Sequence, residues 1–269
     1  MSKKILLTPE VENNICEEIE YFSQKEIGEK YGYSQSFINQ VLTRNKIKKY
    51  RKYRLNCTKL YVDTLYFKEI NTPEKAYWLG YLAADGNINK SLCKCSLTSK
   101  DLEIIERFKK SISSEHKITT CTIKDKRTNN ISKFHIIQIT NGNFVSHLVK
   151  LGITPNKADY FKVPEINEEL LHYFFAGLFD GDGHVGIRKL NKPRISLIST
   201  KEVLLFLQNY LINNFLISAT KLQKITQNKK NVWKLLLYKD SLLFLNWIYS
   251  DKNFNYLSRK YEKYITFVH

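Results

Sequence analysis

Two aspartates occupy equivalent places in this chain of 269 residues. Asp85 closes the run Tyr77-Trp78-Leu79-Gly80-Tyr81-Leu82-Ala83-Ala84-Asp85-Gly86, and Asp182 closes Phe174-Phe175-Ala176-Gly177-Leu178-Phe179-Asp180-Gly181-Asp182-Gly183. Each run is apolar and reads as a helix with small residues four apart, Gly80/Ala84 and Gly177/Gly181. Residues at i and i+4 share a helix face, so each helix carries a stripe that lets another backbone come close. Two such helices packed together bring Asp85 and Asp182 side by side. A carboxylate at a helix C-terminus faces the negative end of the helix dipole, which costs roughly 0.3–1 kcal/mol. Two such carboxylates in equivalent places point to cations that sit against them. A calcium loop is excluded, because His184 and Val185 follow where that loop requires Asp or Asn and then Gly.

The elements around these motifs are basic. The chain has 43 Lys+Arg against 26 Asp+Glu, a net charge of +17, and the surplus runs through its whole length. Such a distribution implies an extended polyanionic partner, nucleic acid first and an anionic membrane surface second. No apolar run of about 18 residues supports the membrane reading. No apolar signal stretch follows Met1-Ser2-Lys3-Lys4-Ile5, so an intracellular, reducing compartment is expected. The five cysteines, Cys16, Cys57, Cys93, Cys95 and Cys121, form no CxxC pair and fit reduced thiols rather than a disulfide framework. The histidines show no HxxxH spacing, which argues against structural zinc.

Residues 1–50 read as a small all-α unit. Ser23 can cap a helix over Gln24–Tyr31, Gly32-Tyr33 can turn the chain, and Ser34 can cap a second helix over Gln35–Thr43. Ile27, Tyr31, Ile38, Val41 and Leu42 form the expected core, with Gly28 where the helices approach. The stretch resembles a helix-turn-helix, whose second helix lies in a major groove and would offer Gln35, Ser36, Asn39, Gln40 and Arg44; the alternative is a helical hairpin packed on the next domain. Residues 44–54 hold seven basic residues and no acid. This run, with Lys48 and Arg51, is expected to track phosphates where the helical unit over 1–50 passes into a basic linker over 51–71.

From Thr72-Pro73-Glu74, an N-cap with proline and an early acid, the chain repeats itself. After the first motif come strand-like Ile88–Asn89 and Lys94–Thr98, a helix over Leu102–Ile112, a basic hairpin over Ile118–Ile139 and a helix over Gly142–Leu151. After the second come Val185–Arg188, Arg194–Ile198, a helix over Val203–Ile212, a basic hairpin over Thr220–Tyr238 and a helix over Ser241–Tyr249. The fold class is therefore α+β, an αββαββα unit used twice over 72–164 and 165–269 behind a small helical domain.

These motifs resemble the LAGLIDADG homing endonucleases in their single-chain, two-motif form. WLGYLAADG spans Trp78–Gly86 and FAGLFDGDG spans Phe175–Gly183; the first departs at Ala83, where the family commonly has an acid. The resemblance implies a pseudo-symmetric saddle that cuts double-stranded DNA at a long asymmetric site as a monomer. Asp85 and Asp182 would be the metal-binding carboxylates, for two or three Mg²⁺ ions with Mn²⁺ able to substitute. Lys157 and Lys260 would be the assisting basic residues, with Arg259 an alternative to Lys260, and Ser99 and Ser199 would lie near the attacking water. Base and phosphate contacts would come from Asn87, Asn89, Lys94, His135, Gln138, Arg188, Lys192, Arg194, Gln223, Lys224 and Lys234, where Arg and Lys favour guanine and Asn and Gln favour adenine.

Three other readings share this fold: a maturase acting on intron RNA, a non-cleaving transcription regulator, and an intein endonuclease. Retention of both aspartates argues against the regulator. Met1 in place of a nucleophile, and Phe267-Val268-His269 in place of a terminal asparagine, argue against the intein.

Overall fold

The computed structural model describes residues 6–19, 24–45, 60–124, 129, 131–188, 192–225 and 231–268. The chain divides into two compact units, Met1–Arg54 and Leu55–His269.

The first unit contains α1 (Pro9–Glu18), α2 (Gln24–Tyr31) and α3 (Gln35–Arg44). Thr8 caps α1, its hydroxyl accepting from the Val11 amide at 3.2 Å, and Ser34 caps α3 through the Phe37 amide at 3.2 Å. Ile15, Ile27, Tyr31, Ile38, Val41 and Leu42 form its core. Gly32 takes the left-handed conformation, φ 75°, which glycine adopts without steric cost. A side chain at Gly28 would stand 2.5 Å from the Tyr33 carbonyl oxygen, so the tight turn requires glycine at that position. Helix α1, which the sequence pattern does not single out, is tied to its neighbours by ion pairs: Glu12 with Arg44 at 2.6 Å, and Glu18 with Lys30.

The second unit is built from α4 (Pro73–Asp85), β1 (Gly86–Ile88), β2 (Cys95–Ser99), α5 (Leu102–Ser111), β3 (Ile118–Lys124), β4 (Ile131–Ile139) and α6 (Gly142–Lys150), then α7 (Leu171–Asp182), β5 (Gly183–Ile187), β6 (Pro193–Ser199), α8 (Lys201–Phe215), β7 (Gln223–Lys224), β8 (Trp233–Leu237) and α9 (Ser241–Ile248). This is the expected αββαββα unit twice, followed by α10 (Ser258–Val268). Each half carries a four-stranded antiparallel sheet, in the orders β1-β2-β4-β3 and β5-β6-β8-β7. Alternation sets the faces: Cys95 and Leu97 on β2 are buried with Ile137 and Ile139 on β4, as are Ile195 and Leu197 on β6 with Leu235 and Leu237 on β8.

Two sequence-based expectations are corrected and one element is added. Residues 60–71 are not linker: the Asp63 amide bonds the Ile112 carbonyl at 2.9 Å, and buried Phe67 meets Phe144 edge-on at 5.6 Å. The basic run ends before this stretch, which holds one lysine against two acids, and apolar Val62, Tyr66 and Phe67 are buried in it. Strand β1 begins at Gly86, directly from the motif helix, and Asn89 belongs to the turn that follows it. Helix α10 is an addition to the expected elements, although Tyr261, Tyr264, Ile265 and Val268 repeat at helical spacing.

The two halves meet through α4 and α7. A methyl group added at Gly80 would overlap the Phe174 carbonyl oxygen and stand 2.9 Å from the Leu178 nitrogen; one at Gly177 would overlap the Tyr77 carbonyl oxygen and stand 2.9 Å from the Tyr81 nitrogen. The contact is reciprocal, with each glycine accepting the other helix's backbone. Gly80→Ala or Gly177→Ala is therefore expected to destabilise by about 3 kcal/mol or more, because backbone cannot yield as a side chain can. Thermal unfolding checks this: a fall of roughly 6–12 °C is expected for a domain of this size.

Candidate active site

Asp85 and Asp182 are the last residues of α4 and α7, and in each case the next residue, Gly86 or Gly183, is already extended and opens a strand. The small residues between the helices bring the two ends together. A methyl at Gly181 would overlap the Ala84 Cβ and lie 3.5 Å from Asp85 Oδ2. Asp85 is half-buried, whereas Asp182 keeps an exposed flank. Burial raises the Asp85 carboxyl above its ordinary range, opposed by the positive charges of Lys260 and Lys157. Crowding by protein, and then the charge of Asp85, push Asp182 up to about 6. No described residue donates a hydrogen bond to the Asp182 carboxylate.

A lysine sits against each helix end. Lys157, at the start of a 3₁₀ turn over Lys157–Asp159, donates from Nζ to the Ala84 carbonyl at 2.9 Å and to the Gly86 carbonyl. Lys260, on α10 and buried, donates to the carbonyls of Phe179 at 2.6 Å, Asp180 at 2.8 Å and Gly183 at 2.6 Å. Each ammonium therefore satisfies the orphan carbonyls of a motif helix and offsets its negative dipole end. Burial lowers both lysines, against the pull of the neighbouring carboxylates, and takes Lys260 to about 8. Arg259 points elsewhere and pairs with Asp101 at 2.8 Å.

The site is thus two carboxylates and two ammonium groups around paired helix ends. Among the described residues no three His, Cys, Asp or Glu side chains gather as a metal-ligand cluster. Two crowded carboxylates fit a hard divalent cation that takes few protein oxygens and keeps water or phosphate oxygens as its other ligands. Soft metals, which favour thiolate or imidazole, find no donor set among these groups. Of the two serines, Ser99 accepts from the Asp101 amide at 3.1 Å and is buried, while Ser199 is half-buried opposite Trp233.

The strands sort the expected DNA contacts. On the first sheet Asn87, Ser96 and Gln138 lie in one cross-strand row facing away from the core. On the second, His184 pairs with Ser196, Gly186 with Arg194, and Ile198, Lys234 and Gln223 form a row. Lys94 is half-buried beside β2, and Arg188 and Lys192 are exposed at the β5–β6 turn, where the Arg188 amide bonds the Lys192 carbonyl at 2.8 Å. Four of the expected contacts face other partners. Asn89 holds its own turn, accepting from the amides of Cys93 at 3.2 Å and Lys94 at 3.1 Å. His135 is buried on Thr120 at 2.9 Å. Lys224 pairs with Trp233, one position out of phase with Lys234, and a one-residue shift reverses the face. Arg44 is held by Glu12 on α1, a helix with a weak sequence pattern. In the first unit Gln35, Ser36 and Gln40 are exposed on α3, and Asn39 accepts from Gln24 at 3.4 Å. Lys48 and Arg51 lie outside the described residues. His184 is a further outward residue that sequence reasoning missed; its signal is its place one residue beyond the motif glycine, matching Asn87.

The LAGLIDADG-like domain family matches residues 72–152 and 169–246, so both motifs and the sheets behind them are covered, and the chain belongs to that family. It is 25% identical over 173 residues to the replication factor C small subunit of Methanocaldococcus jannaschii, covering 62% of this chain but only 9% of that protein. Similar solved structures include the homing endonuclease I-WcaI bound to its DNA recognition sequence, at 17% identity, TM-score 0.45 and coverage of 68% of this chain and 84% of that one. Another is full-length DUF199/WhiA from Thermatoga maritima, at 16% identity, TM-score 0.44 and coverage of 76% and 70%.

The raised Asp182 carboxyl has a pH signature in metal-free protein. Its folded pKa of about 6 stands above the ordinary 3.8, so its relative stabilisation is complete below about pH 4 and lost as pH rises through 6. Asp182→Asn is expected to raise stability above pH 6, on the order of 1 kcal/mol once screening at an exposed carboxylate is allowed for, with no gain near pH 4. Denaturant titrations in EDTA across this range test it; a gain independent of pH would show that charge is not the cause.

Proposed function

We propose that this chain is a site-specific endonuclease that cuts both strands of a DNA duplex at a long, asymmetric target, acting as a monomer because one chain carries both halves. The observation that carries the reading is the retention of both aspartates at helix ends that reciprocal glycines press together. A regulator that only binds DNA has no need to keep two carboxylates crowded beside each other in a basic protein, where their charge repels both one another and phosphate.

The reaction is hydrolysis of a phosphodiester: water attacks phosphorus, the P–O3′ bond breaks, and a 5′-phosphate and a 3′-hydroxyl remain. Asp85 and Asp182 would hold divalent cations, Mg²⁺ with Mn²⁺ as substitute, which when bound polarise a phosphate and ease ionisation of water. Lys157 and Lys260 place positive charge beside the strand being cut, where negative charge grows in the transition state. Because their Nζ atoms already bond helix carbonyls, they approach the phosphate from fixed positions, with no side-chain entropy left to lose. Asn87, Gln138, Arg194, Lys234, His184 and Gln223 face outward on the two sheets and would read bases or phosphates, and the two halves differ at every one of these positions. The first unit would extend the footprint through α3. Among the described residues no helix is long and apolar enough to cross a membrane.

Cleavage of a randomised duplex library with Mg²⁺, compared with Ca²⁺ and with EDTA, tests the reading. One long asymmetric site, cut only with Mg²⁺, is the expected result. Salt-sensitive binding without cutting would favour a regulator, and preference for structured intron RNA a maturase. On the recovered target, Asp85→Asn or Asp182→Asn is expected to lower double-strand cleavage by about 10³-fold or more, the several kcal/mol a bound cation contributes, while leaving most of the affinity. Full cleavage by either variant would refute the mechanism. Deleting residues 1–50 is expected to weaken binding and flatten the plot of log K against log salt by about 0.9 for each phosphate that the shortened protein no longer neutralises. An unchanged slope would remove the first unit from the interface.

A further inference from the structure

The two halves differ in charge at one motif position that the reaction itself does not use. The motif residue two before the terminal aspartate is Asp180 in the second half and Ala83 in the first. Asp180 is fully buried. Its Oδ2 accepts from the Tyr77 hydroxyl at 2.7 Å and the Leu257 amide at 2.9 Å, and its Oδ1 accepts from the Tyr249 hydroxyl at 2.7 Å. A buried carboxylate is costly unless hydrogen-bonded on all sides, so these three donors are what keeps it in place. They come from three separate elements: α4 of the other half, the residue that follows α9, and the residue that precedes α10.

The third donor leads to the active site. The Leu257 carbonyl accepts from the Lys260 and Tyr261 amides, both at 3.0 Å, and so starts the helix that carries Lys260. Asp180 thus pins the amide of the residue from which α10 begins, while its own main-chain carbonyl accepts from Lys260 Nζ at 2.8 Å. The same strand of chain is latched to α5: Arg107 donates to the Tyr256 carbonyl at 3.0 Å, and Glu103 accepts from the Ser258 amide at 3.2 Å. Lys157 is held differently. It sits on a three-residue turn in the half that carries Ala83, and its segment is secured through Thr200, which donates to the Phe161 carbonyl at 2.6 Å.

We propose that Asp180 is a positioning residue for Lys260 with no counterpart in the first half, so that the two strand cuts depend on different supports and can be separated. The strand readout rests on the endonuclease reading; the placement of Lys260 does not, and is measured without metal or DNA.

Metal-free protein is treated with an amine-acetylating reagent, and the rates at Lys157 and Lys260 are read by mass spectrometry. In Asp180→Asn the Lys260 rate is expected to rise by about tenfold, the equivalent of one charge-assisted hydrogen bond, with Lys157 within about twofold of the unsubstituted protein. On supercoiled plasmid carrying the target, the same variant is expected to accumulate nicked circles. The uncut strand should be the one that Lys260→Met spares, and the double variant should be no slower than Lys260→Met alone, as for residues acting in one unit. If Asp180→Asn does not fold, Tyr249→Phe removes one donor, keeps the carboxylate, and is expected to show the same pattern more weakly. Equal acetylation of both lysines, or equal slowing of both strands, overturns the proposal. Absence of cleavage by the unsubstituted protein overturns the endonuclease reading instead, and the acetylation rates then decide the role of Asp180 alone.

Discussion

The backbones of α4 and α7 touch, and they can do so only because Gly80 and Gly177 have no side chains. Each glycine receives a carbonyl and an amide of the opposite helix, at Phe174 and Leu178 on one side and at Tyr77 and Tyr81 on the other. Because the helices cross this closely, their ends converge, and Asp85 and Asp182 come within electrostatic reach of each other. The strands begin at the next residue in both halves, so the same contact sets where the two sheets start. Interface, site and the origin of each sheet therefore share one geometric cause.

Convergence has an electrostatic cost that the rest of the site offsets. Two helices present their negative ends to one place and add two carboxylates to it. Lys157 and Lys260 answer both demands, since each bonds the terminal carbonyls of one helix and opposes the rise of both carboxyls. Neither lysine belongs to a motif helix. One arrives on a short turn after α6 and the other on α10, so the site is completed by segments whose position depends on packing elsewhere. Asp180, Tyr77, Tyr249 and Arg107 form the packing that delivers the second of them.

Much of this is legible without coordinates. The small-residue stripes, the caps at Thr72 and Ser34, the αββαββα order and both terminal aspartates are local patterns whose periods survive in a linear text. The strands are less legible because one residue decides a face: Lys224 and Lys234 look alike in sequence, yet fall out of phase across the β7–β8 pair. Asn89 has the composition of a base reader and is a turn residue, because a short polar side chain beside a tight loop finds backbone amides first. Arg44 looks free in the sequence because its partner, Glu12, lies 32 residues away on a helix with a weak pattern.

What the amino-acid sequence determined by itself was the repeat and the identity of the groups at its centre. Glycine four residues from a small residue, and aspartate at a helix end, are choices each motif makes within ten residues. What only the tertiary structure decided was which of the candidate cations stand beside those aspartates and what holds them there. In so basic a chain any lysine could have done so; Lys260 rather than Arg259 reaches the helix end because a buried carboxylate seventy-seven residues before Leu257 fixes the start of α10. That contact is long-range and depends on three elements packing at once, so no local pattern encodes it.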